Sequence, residues 1–151
     1  MPSIKLQTSI RASADRCCRL SLDAEIHIGS MAHTEEKAVA GRKTGLFELG
    51  DTVTWEARHL GFTQRMEVRI TVLSFPAHFR DEMIRGAFKL MRHDHYFEEE
   101  GGITQMTDHL YYEMPYGIIG WILDRLYLRR YMRGLLQRRN AFIKQQATQD
   151  N

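Results

Sequence analysis

The chain holds 151 residues, 43% of them apolar and 26% charged, with a formal net charge of +2 at pH 7. These values suit one folded domain with a real core and exclude a disordered chain. A charge this small implies neither a nucleic-acid partner nor a membrane partner by itself.

At the start, Ile4, Leu6, Thr8 and Ile10 alternate with Lys5, Gln7, Ser9 and Arg11, the period of two of a half-buried strand. The first residues lack the apolar run of a secretory leader, so cytoplasmic residence is expected. Ser13 is placed to cap a helix over 14–22, with Asp15 in its first turn, and a weaker signal extends to Met31. The two cysteines, Cys17 and Cys18, are adjacent, which suits neither a disulfide nor a C-x-x-C motif. A weak strand over 37–41 precedes the spaced glycines Gly41, Gly45 and Gly50.

Next come strands over 52–59 and 62–75, joined by a turn at Leu60-Gly61. A two-residue hairpin there pairs Trp55 with Met66 and Val53 with Val68, so the apolar faces agree. Phe75-Pro76-Ala77 closes the next hairpin, and strands over 79–85, 88–99 and 103–114 follow. Strands joined by short turns, with no helices between them, make an antiparallel meander.

Pro115-Tyr116-Gly117 breaks the sheet, and a helix of roughly 25 to 30 residues follows, ending near Gln146. Ile118, Ile119, Ile122, Leu123, Leu126 and Tyr127 cover half its circumference, so its first half is expected to be deeply buried. Further on the apolar arc narrows to Leu128, Met132, Leu135, Leu136 and Ile143 among arginines, as on a solvated edge. The most apolar stretch, 117–128, contains Asp124 and Arg125 and is too short to span a bilayer. Trp55 and Trp121 read as core residues. The domain is expected to span 1–146, with 147–151 frayed.

The last hairpin is the most informative segment. A turn centred on Glu100-Gly101 sets Phe97 against Thr104, His95 against Met106, His93 against Asp108 and Met91 against Leu110. The opposite face, with Arg92, Asp94, Glu98, Gln105, Thr107 and His109, reads as solvated. Three readings of His93 and Asp108 stand open: a structural hydrogen bond, a polar anchor for a ligand, and an acid–base pair in which Asp108 orients His93. His93, His95 and Asp108 carry metal-ligand atoms, but alternate positions on one strand do not make a tight constellation, so neither a metal nor a cofactor is expected. Asp81 approaches His93 only if the chain bulges near Gly86. His27, His33, His59, His78 and His109 are scattered and read as surface or turn residues. Hydrolase, zincin and phosphate-loop motifs are absent.

These motifs resemble the SRPBCC superfamily, the helix-grip proteins that include START domains, birch-pollen-allergen relatives and polyketide cyclase/dehydratase-like proteins. The resemblance covers nearly the whole chain. It rests on the element order and on Leu20-Ser21-Leu22-Asp23, Gly41-x-x-x-Gly45, Gly50-Asp51-x-Val53-Thr54-Trp55 and Phe79-x-Asp81-x-Met83-x-x-Gly86-x-Phe88. Met91-x-His93-x-His95-x-Phe97, Thr104-x-Met106-x-Asp108 and Pro115-x-Gly117 complete it. The resemblance implies an α+β helix-grip fold, a curved antiparallel sheet wrapped around the long C-terminal helix with a cavity between them. It is similar to a bacterial form, some members of which carry cyclase/dehydratase names.

A small apolar molecule is the expected partner, a lipid, isoprenoid or polyketide-like compound. Its candidate wall is Trp55, Met66, Met91, His93, His95, Phe97, Met106, Asp108, Leu110, Ile122 and Leu126. An enzyme using His93 and Asp108 is the first alternative, and an interaction module acting through the basic helix is the second.

Overall fold

The computed structural model describes residues 2–149. Seven strands form one antiparallel sheet in the order β1-β7-β6-β5-β4-β3-β2. They are β1 (Ser3–Ile10), β2 (Lys37–Gly41), β3 (Thr52–His59), β4 (Phe62–Ser74), β5 (His78–Arg85), β6 (Leu90–Glu100) and β7 (Ile103–Glu113). Helices α1 (Ala14–Leu22) and α2 (Ala24–Ser30) lie between β1 and β2. After the sheet come α3 (Gly117–Leu123), a π-turn over Asp124–Leu128 and α4 (Arg129–Thr148).

Local chemistry sets these boundaries. The Ser13 hydroxyl accepts the Arg16 N–H at 3.1 Å and starts α1. The Asp23 carboxylate accepts the N–H groups of Glu25 and Ile26 and starts α2. At the β3–β4 turn Leu60 and Gly61 both take positive φ, 55° and 82°, as a two-residue hairpin loop requires. Trp55 then pairs with Met66 and Val53 with Val68, as expected. Register shifts between Glu67 and Val68, between Ile70 and Val72, and between Ala38 and Ala40 interrupt the ladders. Such bulges bend the strands. α4 packs against α1, α2 and β1.

Four expectations need correction. The β6–β7 turn is centred on Gly101-Gly102, where both residues take positive φ without a side-chain penalty, so opposite partners move by two positions. His95 now faces Asp108, His93 faces Leu110, Phe97 faces Met106 and Met91 faces Tyr112. A shift of two keeps each side chain on its face. Asp94, expected in solvent, is buried and holds His78 and Arg80, each at 2.8 Å.

The C-terminal helix is the third correction. Its first half is the exposed part, including Trp121, Ile122 and Leu126, whereas Leu136, Arg139, Asn140, Ile143 and Ala147 are buried. Lastly, the helix continues to Thr148 with Ala147 fully buried, so fraying does not begin at 147; residues 150 and 151 lie outside the described part.

Candidate functional site

Beneath α4 the sheet's inner face encloses a hollow of about 360 Å³. Val53, Trp55 and Ala57 of β3 and Met66, Val68 and Ile70 of β4 form one wall. Leu128, Tyr131, Met132, Leu135 and Leu136 close it from the helix side, and Ser21, His27 and Met31 from the α1–α2 side. A polar cluster supplied by β5, β6 and α4 reaches the same space through Asp81, His93, His95 and Arg139.

Asp108 is the centre of that cluster. It is fully buried and accepts hydrogen bonds from Asn140 Nδ2 at 2.6 Å and from Arg139 Nη1 at 3.3 Å, while His93 Nε2 lies at 2.8 Å. Burial pushes its carboxyl upward, but the Arg139 guanidinium and the two imidazoles outweigh that and hold it well below the usual carboxylate range. Burial, with His95 beside it, pushes His93 below its ordinary value despite the pull of Asp108. His93 is therefore the neutral imidazole at neutral pH. Since an ionised carboxylate only accepts, His93 donates from Nε2 to Asp108 and keeps Nδ1 as an acceptor.

His95 bridges the second carboxylate. Its Nε2 donates to Asp81 at 2.7 Å, and its Nδ1 lies 3.3 Å from Arg139 Nη2 and from Asp108 Oδ1. Burial raises the Asp81 carboxyl, but the His95 hydrogen bond and the electrostatic pull of the two imidazoles and the Arg139 guanidinium leave it lowered overall. The His95 ring stacks between Phe79, 4.0 Å away, and His93, 3.7 Å away. Ligand atoms of Asp81, His93 and His95 come within 4.8 Å of one another. However, the two imidazoles are stacked at an interplanar angle of 27°, so their in-plane lone pairs run side by side instead of converging on one point. Held this way, they make a hydrogen-bonded stack and a poor chelate.

Further polar groups sit at other parts of the wall. His27 stacks on Trp55 at 4.2 Å and pairs with Glu36 at 2.8 Å; His59 Nδ1 shares a 2.8 Å hydrogen bond with the Tyr131 hydroxyl. Burial holds His59 below its ordinary value.

The candidate residues divide clearly. Trp55, Met66, Met91, His93, His95 and Leu110 border the hollow. Phe97 and Met106 are buried in the main core, and Asp108 stands behind the histidines. Ile122 and Leu126 do not reach the hollow, because the helix turns Gly120 and Asp124 inward and leaves them outside. Sequence reasoning missed Arg139, Asn140, His27, His59 and Tyr131. A signal for Asn140 existed, since Leu136, Asn140, Ile143 and Ala147 follow a helical stripe of spacing four, three and four.

Among solved structures, a protein of Thermus thermophilus matches at 22% identity and a TM-score of 0.74, covering 94% of this chain and 97% of that one. A Chromobacterium violaceum protein matches at 12% identity and 0.73, covering 97% and 98%. Ginseng major latex-like protein 151 from Panax ginseng matches at 13% and 0.71, covering 97% of both chains. Identities this low carry the fold alone. No protein-family model matches the sequence, and no curated protein does.

Proposed function

We propose that this chain, which has the helix-grip fold of SRPBCC-type proteins, holds a small, largely apolar molecule between its sheet and its C-terminal helix. The observation that carries the reading is the hollow itself. Its volume of about 360 Å³ lies within the range of small-molecule sites. Small residues, Ala57 and Ala87, stand on its wall where larger ones would fill it. An apolar void costs its lining atoms dispersion partners, and a ligand restores them.

The polar cluster favours a neutral anchor. Asp81, Asp108 and Arg139 already have protein partners, whereas no described residue takes His93 Nδ1. That atom accepts a hydrogen bond, so a ligand hydroxyl is the group that fits it. The test is a thermal-shift panel of hydroxylated lipids, isoprenoids and polyketides. A true ligand stabilises by about 2.7 kcal/mol at a hundredfold excess over Kd. No shift from any compound, together with native mass spectra showing no retained molecule, would sink the proposal.

A second reading rests on the same nitrogen. A neutral imidazole oriented by a buried carboxylate is also the arrangement of a general base. Compounds that bind are incubated with the wild type and with His93→Asn, and product is followed by mass spectrometry. Turnover that persists unchanged in the variant removes His93 from any chemistry.

A further inference from the structure

The C-terminal helix begins inside out. Over α3 and the π-turn, Gly120 and Asp124 face the body, while Ile118, Ile119, Ile122 and Leu126 stand 74%, 63%, 44% and 74% exposed. Trp121 and Tyr127 flank this ridge and are each more than half exposed. Single exposed apolar residues are ordinary, but a contiguous ridge of them marks a surface that something covers.

The ridge cannot roll inward. A Cβ on Gly120 would come within 2.1 Å of the Pro115 carbonyl oxygen, so only glycine fits at that position. One turn later Asp124 accepts hydrogen bonds from the Tyr112 hydroxyl and from Arg129, and these fix the rotation.

Along the helix that carries the ridge, the exposed charge has one sign. From 114 to 149 the sole acid is Asp124, which is buried, whereas Arg125, Arg130 and Arg133 are exposed. Arg125 lies over the Trp121 ring at 4.9 Å. On the neighbouring β3–β4 turn, Leu60 and Phe62 are exposed, and the adjoining His59 is bonded to Tyr131 of α4.

We infer that this segment is a peripheral docking element for an anionic lipid bilayer. Aliphatic side chains bordered by Trp, Tyr and Arg match the acyl boundary and headgroup layers, with the helix lying in the plane of the interface. No described helix is long and apolar enough to cross a membrane, so the contact is superficial. A second copy fits less well: ridge against ridge brings like arginines together without an acid to meet them. Nucleic acid would leave the four aliphatic side chains without a partner. Leu60, Leu128 and Tyr131 also border the hollow, so docking sets its rim against lipid. The inference does not depend on a ligand, because vesicle binding is measurable with the hollow empty.

The test is flotation of the full chain with phosphatidylcholine vesicles, with and without phosphatidylglycerol. Binding is expected to the anionic vesicles and to weaken with added salt. Brominated lipid should quench Trp121, and Trp121→Phe should abolish the quenching while leaving the signal of Trp55. Ile122→Asp combined with Leu126→Asp changes only outward side chains and should weaken binding about tenfold or more. Arg130→Glu with Arg133→Glu, which leaves the apolar ridge intact, should weaken it too. Four results would overturn the inference: no flotation with either vesicle, flotation unchanged in both variants, salt-sensitive retention on duplex DNA without vesicle binding, or a dimer dispersed by the aspartates without vesicle binding.

Discussion

A carboxylate removed from water costs several kcal/mol unless donors surround it, and Asp108, with no exposure at all, has His93, Arg139 and Asn140 around it. Asp108→Ala takes the carboxylate partner from Arg139, which is itself only 4% exposed, and should cost about 3–5 kcal/mol in a urea melt. Adding Arg139→Met should recover part of that loss, because the unpaired guanidinium goes with it. Strictly additive losses would show that the two groups are not coupled.

The same residues set a pH dependence. His93 is depressed below 6.5 in the folded chain, so the unfolded chain takes up its proton first, and stability falls as pH drops below that value. His33 and His59 are lowered as well and act in the same direction. Asp108, held well below 3.8, adds a contribution that is complete above 3.8 and lost as pH falls toward its folded value. Urea midpoints from pH 8 to pH 3 should therefore show an upper decline that shrinks in His93→Gln. An upper decline of undiminished size in that variant would contradict the neutral assignment of His93.

Among the elements, those with strict periodicity were legible in the sequence. β3 and β4 alternate cleanly around a turn that Leu60-Gly61 can make, and both register and boundaries follow. The β6–β7 hairpin was readable only to its faces, since Glu100-Gly101 and Gly101-Gly102 compete for the turn; the pair free of side chains prevails. Because a shift of two preserves the faces, His93 still meets Asp108, now diagonally.

The C-terminal helix was misread for a physical reason. Its buried stripe carries Arg139 and Asn140, whose polarity hides it, and they are buried because the sheet presents the Asp108 carboxylate to them. Hydrophobicity by itself cannot reveal a polar residue whose partner lies on another element. Two glycines of this helix give an opposed pair of outcomes. Gly120→Ala forces the chain away from the Pro115 carbonyl and should cost about 1–3 kcal/mol. A Cβ on Gly134 meets nothing within 4 Å, and Gly134→Ala should gain about 0.5–1 kcal/mol from helix propensity. Equal melting temperatures for the two variants would mean that the close approach at Gly120 does not constrain the helix.

For the whole molecule, the hollow follows from how the helix is held. One polar clamp, Tyr112–Asp124–Arg129, fixes its beginning, and another, Asp108–Arg139–Asn140, fixes it three to four turns later. Between the clamps Leu128, Tyr131, Met132 and Leu135 span the bent sheet and face open space. Hydrogen bonds have fixed lengths, so such a helix cannot settle onto the sheet as an apolar one would. Ala57→Phe tests this, since it directs a ring from β3 into the space without touching either clamp. If the space is there, the ring fills it, the melting temperature holds or rises, and stabilisation by any identified ligand disappears. If the helix does collapse onto the sheet in solution, the ring overpacks the core and costs about 1–3 kcal/mol. A variant as stable as the wild type that still responds fully to ligand would place the binding site elsewhere on the protein.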